Sequence, residues 1–170
     1  MILEIRKYGD PVLETPCEKI ANFGSPELQK LADDMFETMY ANKGVGLAAP
    51  QVGVTQQLTV IDVSAGEDPE AKLVLINPEI VSREGQQLGE EGCLSIPGFR
   101  EDVRRAMNVK VRAQDLEGKE FEVDGDELLA RALQHEIDHL HGILFLKHLS
   151  PLKRELIRRK ISKLVKAGEW

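Results

Sequence analysis

Between Asp126 and His141 the chain carries a helical pattern whose apolar residues are spread around much of the axis. Leu128, Leu129, Ala132, Leu133, Ile137 and Leu140 cover much of its circumference, and a helix apolar on most sides must be buried, with other elements packed around it. Asp124-Gly125-Asp126 supplies the start signal. The same helix holds Gln134-His135-Glu136-Ile137-Asp138-His139. Histidines four positions apart project about 40° apart, because four helical steps advance roughly 400°. Both imidazoles can then grip one ion. A lone histidine here would read as a satisfied core residue, whereas the pair with Glu136 between them fits the H-E-x-x-H pattern of metal-dependent hydrolysis, in which the glutamate is the general base. Glu136 and Asp138 flank the pair on opposite sides, and the longer Glu136 is better suited to reach a water at the ion.

Whether the rest of the chain supports such a site depends first on its size. The 170 residues, 42% hydrophobic and 30% charged, predict one compact domain over 1–170 with a sizeable core. The apolar runs are far shorter than the ~20 residues that span a bilayer. Met1-Ile2-Leu3-Glu4-Ile5-Arg6 lacks a signal-peptide layout, so a cytoplasmic protein without membrane contact is expected. In a reducing compartment the two cysteines, Cys17 and Cys93, are expected to stay free, with Cys17 a bland, semi-buried residue. The net charge of −7 argues against a surface built to bind nucleic acid, DNA included. One segment runs against that balance. Ser150-Pro151 opens a C-terminal helix, about 150–166, and from Pro151 to Trp170 seven Lys or Arg face only Glu155 and Glu169. Leu152, Leu156, Ile157, Ile161, Leu164 and Val165 form its apolar face. The bland reading is a docked helix with a solvated face; the other is a contact with an anionic partner such as RNA.

Upstream, Ser25-Pro26 begins an amphipathic helix that ends near Asn42, with Met35 and Met39 as core packing. Gly44-Val45-Gly46-Leu47-Ala48-Ala49-Pro50-Gln51 follows, a small-residue loop in which Gly44 or Gly46 can adopt positive φ. It lacks the lysine and the strand-to-helix frame of the nucleotide-binding loops. Gln51 can donate from its side-chain amide to a developing oxyanion. Apolar runs over 57–81 predict two strands joined by a polar loop, and Ser82-Arg83-Glu84-Gly85 predicts a turn. Val109, Val111 and Ala113, then Phe121 and Val123, alternate with charges across Glu117-Gly118 and predict a β-hairpin with one wet face. Cys93 has two readings: an inert core thiol, or a third ligand that with two imidazoles leaves a fourth position open.

Three segments together resemble the peptide deformylases. G-x-G-x-A-A-x-Q is met at Gly44–Gln51, E-G-C-x-S at Glu91–Ser95 and Q-H-E-x-D-H at Gln134–His139. The resemblance implies an α+β fold, with antiparallel sheets around a central metal-binding helix, an N-terminal helix and a C-terminal amphipathic helix. It implies Cys93, His135 and His139 as metal ligands, Glu136 as proton shuttle, and Gln51 with the Leu94 N–H as holders of a formyl oxygen. By the same resemblance Val45, Leu128, Ala132 and the aliphatic part of Arg131 form a methionine slot, with Gly46 and Gly92 beside the substrate and Arg100 on its backbone. Glu91 and Arg105 are expected to be supporting residues. The implied cofactor is one divalent ion, Fe(2+) in the cell, with Zn, Ni or Co as substitutes. The implied partners are formyl-Met peptides and nascent chains, met by a monomer at the ribosome through the basic C-terminal helix.

Two rivals remain. In the extended zinc-endopeptidase pattern Gly142 fits, but Phe145 stands where the third histidine belongs, and Ser150-Pro151 breaks the helix before Glu155, a possible downstream carboxylate ligand. A non-catalytic RNA- or ribosome-binding module with a structural metal would leave the Gln51 loop unexplained.

Overall fold

A computed structural model describes residues 1–170. In chain order it contains α1 (Pro26–Ala41), β1 (Gly46–Ala48), β2 (Leu58–Ile61), β3 (Leu73–Glu84), β4 (Gln87–Cys93), β5 (Ile96–Arg105), β6 (Asn108–Gln114), β7 (Glu120–Asp126), α2 (Glu127–Leu140) and α3 (Pro151–Lys166). The main sheet is antiparallel in the order β1-β2-β3-β6-β7, and β4 and β5 form a separate two-stranded ribbon inserted between β3 and β6. This is the α+β architecture that the resemblance implies, with α2 at its centre.

Local chemistry accounts for most of these elements. Ser25 caps α1 by accepting from the Leu28 N–H at 3.1 Å, and Pro26 occupies the first turn, where its missing N–H costs nothing. Ser150 caps α3 in the same way, accepting from the Lys153 N–H at 3.3 Å. In β6 the valines bury while Arg112 faces water, and Val111 pairs with Val123 across the Glu117-Gly118 turn. Gly118, at φ 84°, takes the left-handed backbone that turn needs.

Three helices bring three apolar faces to the core. Met35, Phe36 and Met39 of α1 pack with Leu47, Leu58 and Ile76. Ala130, Leu133 and Ile137 of α2 pack on Ile61, Leu75, Val109 and Val111. Ile157 and Ile161 of α3 join Ile96, Val103 and Phe145. Leu133 is fully buried, so truncating it to alanine would cost about 2–5 kcal/mol. The C-terminus of α2 is fixed by Gly142 at φ 75°, where a Cβ would lie 2.7 Å from the Glu14 carbonyl oxygen.

Three local expectations are corrected, and one element was not foreseen. Ser82, Arg83 and Glu84 are not a turn but the end of β3; the reversal is confined to Gly85 and Gln86. The β4–β5 ribbon has no counterpart in the sequence reading. Gly44 and Gly46 do not take positive φ; Lys43 does, at 57°, and the Gly44 N–H returns to the Met39 carbonyl. Asp126 stands at the N-cap of α2 without a side-chain capping bond, and Glu127 there has φ 48°. Both cysteines are free, and burial pushes the Cys17 thiol up to about 11. No helix is long and apolar enough to cross a membrane.

Candidate metal centre

Burial of α2 delivers His135 and His139 from one helix face, and the last residue of β4 delivers Cys93 opposite them. The His135 and His139 Nε2 atoms are 3.2 Å apart, and His139 Nε2 lies 3.4 Å from Cys93 Sγ. Their ligand atoms all fall within 4.8 Å of one another. Two buried imidazoles this close cannot both be cationic. Burial works against charge on both rings; Glu136, Cys93 and Glu91 nonetheless hold His135 well above its ordinary value, while burial and the His135 charge push His139 well below. A cysteine sulfur and two imidazole nitrogens converging this closely are a soft-to-borderline donor set, so the residues fit a metal ion.

Glu91 sits behind this centre. Its Oε1 meets His135 Nδ1 at 2.8 Å and Arg105 Nη2 at 2.9 Å; its Oε2 accepts from Arg105 Nε at 2.8 Å and Arg131 Nη1 at 2.7 Å. The contact fixes a proton on Nδ1, so Nε2, which faces His139, is the nitrogen an ion would bind in place of a proton. Burial alone would raise the Glu91 carboxyl, but Arg105 and His135 hold it well below the usual range. The network continues outward: Arg105 Nη1 donates to Asp138 Oδ2 at 2.8 Å, and His148 Nε2 reaches the same oxygen at 2.8 Å. Asp138 thus turns away from the metal ligands, towards Arg105.

Glu136 has the opposite surroundings. Its Oε1 is buried without a hydrogen-bond partner, and burial pushes its carboxyl up to about 7. A Cβ on Gly46 would lie 2.5 Å from Glu136 Oε2, and one on Gly44 would lie 2.9 Å from Leu94 Cδ1. Those glycines are therefore needed for close approach rather than for backbone conformation. Gln51 is fixed at both ends of its amide: Oε1 accepts from the Ala48 N–H at 2.9 Å, so the NH₂ must point inward. It donates to Ser95 Oγ at 3.1 Å and lies 3.5 Å from Cys93 Sγ.

A cleft of about 720 Å³ opens onto this cluster. Val45, Gly46, Gln51, Gly92, Leu94 and Arg100 line it from one side, and Leu128, Arg131, Ala132, His135 and Glu136 line it from α2. His139 lies deeper, 1% exposed. Leu128 stands at the mouth, half exposed, and Arg100 pairs there with Glu90 at 2.5 Å. Arg131 differs from its expected part: its guanidinium is buried against Glu91 and the Val103 carbonyl, so the residue is more than an aliphatic wall. Phe145 is a core residue stacked on His135, with centroids 6.2 Å apart, and it cannot serve as an endopeptidase ligand. Sequence reasoning missed the Asp138–His148 extension and the place of Phe99 in the cleft wall. The period-two geometry of a strand would have put Glu91 on the Cys93 face had β4 been recognised.

The polypeptide deformylase family model matches residues 2–155. The chain belongs to the polypeptide deformylase family. A peptide deformylase of Acidobacterium capsulatum is 59% identical over 170 residues, covering 100% of this chain and 99% of that one. The crystal structure of a peptide deformylase from Legionella pneumophila superposes with a TM-score of 0.91 at 47% identity, covering 99% of this chain and 98% of that one. The crystal structure of the peptide deformylase from Thermus thermophilus gives 0.87 at 43% identity, with 97% and 96% covered. As a deformylase the chain is a hydrolase that removes the N-formyl group from the formyl-methionine of newly made polypeptides.

Proposed function

We propose that deformylation here uses Cys93, His135 and His139 to hold one divalent ion, Glu136 to move the proton, and Gln51 Nε2 with the Leu94 N–H to hold the formyl oxygen. The observation that carries this reading is the pairing of a buried Glu136 oxygen that has no hydrogen-bond partner with a Gln51 amide locked inward at the same cluster. When bound, the ion supplies Lewis acidity, which polarises the formyl oxygen and brings the pKa of a water at the site towards neutrality. Glu136 accepts the proton of that water as its oxygen bonds to the formyl carbon. Gln51 and the Leu94 N–H donate to the carbonyl oxygen as charge gathers on it. Glu136 then passes the proton to the departing nitrogen, the C–N bond breaks, and the formic acid released gives its remaining proton to the amine, so that formate and the protonated amine leave. Val45, Leu128, Ala132 and Arg131 receive the methionine side chain, and Gly46, Gly92 and Arg100 flank the peptide backbone.

The physiological ion is Fe(2+), with Zn, Ni or Co able to replace it; the resemblance supports iron, whereas the softness of the thiolate–imidazole donor set by itself suits zinc. The test is formate release from formyl-Met-Ala-Ser by anaerobically prepared protein, with metal analysis and an internal-peptide substrate alongside. Formate without internal cleavage, at one ion per chain, is expected. Cleavage of the internal peptide bond instead would overturn the reading.

The enzyme acts in the cytosol as a monomer, and α3 is its contact with the ribosome. Lys160, Lys163 and Lys166 support that contact, since none has an ion-pair partner within the chain, unlike Lys153 and Arg159. Deleting α3 would not test it, because Ile157 and Ile161 belong to the core. Reversing the three lysines to glutamate should weaken co-sedimentation with ribosomes and spare hydrolysis of a short formyl peptide; unchanged co-sedimentation would sink the proposal.

A further inference from the structure

Arg131 stands one helical turn before His135 on α2, and both side chains meet Glu91. Arg131 Nη1 donates to Glu91 Oε2 at 2.7 Å and to the Val103 carbonyl at 2.9 Å; Nη2 donates to Gln87 Oε1 at 3.3 Å. The residue is 6% exposed, yet it lines the cleft beside Leu128 and Ala132. Space for it comes from Gly89, where a Cβ would lie 3.0 Å from Arg131 Nη2. A guanidinium at this depth is tolerated only because it is paired, and its partner is the carboxylate that orients a metal-ligand ring.

We propose that Arg131 is a positioning residue that joins the substrate pocket to the metal centre, forming the wall of the first side-chain pocket and clamping Glu91 behind His135. The proposal rests on the reading of the cleft and the three ligands given above. Its physical basis is saturation. The four acceptor positions of Glu91 are taken by Arg105 Nε, Arg105 Nη2, Arg131 Nη1 and His135 Nδ1. Without the Arg131 contact, Oε2 keeps one donor, and the carboxylate can tilt about the Arg105 fork and carry the His135 ring with it. The same loss removes a fixed, polar portion of the pocket wall.

Three variants test this: R131L, which keeps bulk without charge; R131K, which keeps a cation but not the fork; and G89A, which crowds the guanidinium and keeps every charge. For each, the Zn(2+) dissociation constant is measured on apoprotein against a chromophoric chelator, and the kcat/KM ratio for formyl-Met-Ala-Ser over formyl-Gly-Ala-Ser on reloaded enzyme. R131L should weaken Zn(2+) binding about 10–100-fold and, by making the pocket wall more apolar, raise the Met-over-Gly preference roughly tenfold. R131K should recover part of the affinity, and G89A should shift both quantities in the same direction by less. A change in only one quantity, or a lower thermal midpoint with neither moved, would overturn the coupling. Wild-type protein that releases no formate would overturn the reading of the site itself, which separates the two failures.

Discussion

Glu91 and Glu136 are both buried glutamates whose charge acts on His135, and the protein surrounds them in opposite ways. Glu91 accepts four hydrogen bonds, two from Arg105 and one each from Arg131 and His135, and is held well below the usual carboxylate range. Glu136 leaves one oxygen without a partner and is pushed up to about 7. Protonating Glu91 would disrupt an ion pair with two guanidiniums. Glu136 loses no hydrogen bond at Oε1 when it takes a proton. The same side chain is thus held as an anchored carboxylate behind the Cys93–His135–His139 cluster and left, in front of it, with an unpartnered oxygen that suits the proposed proton transfer.

Substitutions at the two faces should break this comparison in different ways. The largest effect on turnover is expected from Glu136→Gln, where formate release should fall about 10²–10⁴-fold; a rate within a factor of three of wild type would remove Glu136 from the proton path. Gln51→Ala takes away one oxyanion donor and should lower kcat about 10²-fold, read by steady-state kinetics with the metal content checked. Gly46→Ala puts a Cβ where Glu136 Oε2 now lies, so a loss of roughly tenfold is expected from misplacing the carboxylate, with Zn(2+) binding unaffected. At the far end of the anchor network, His148→Ala removes a partly exposed partner of Asp138 and should change stability by only about 0–1 kcal/mol, as measured by urea denaturation.

The sequence made α2 legible because its signals were local: an apolar circumference, two histidines at helical spacing and a glutamate between them. The caps of α1 and α3 and the β6–β7 hairpin were readable for the same reason. The β4–β5 ribbon was not. Gln87-Leu88-Gly89-Glu90-Glu91-Gly92-Cys93 has two glycines, adjacent glutamates and no apolar alternation, so it lacks the pattern that marks a strand. Missing that strand hid how Glu91, already expected as a supporting residue, reaches His135 from the same strand face as Cys93. Gly46 was read as a source of backbone freedom, whereas its importance lies in a contact with Glu136, 90 positions away. Arg131 was read by its apolar stem, but its guanidinium answers to Glu91 on a strand 40 residues earlier. Long-range contacts of this kind leave no periodic trace.

The division of labour between the two glutamates is tested most directly by Zn(2+) titration of the apoproteins of Glu136→Gln and Glu91→Gln in parallel. Glu136→Gln should bind zinc within about threefold of wild type, while Glu91→Gln, with its clamp on His135 weakened, should bind about 10–100-fold more weakly. Equal losses in the two variants, or a larger loss in Glu136→Gln, would contradict the account.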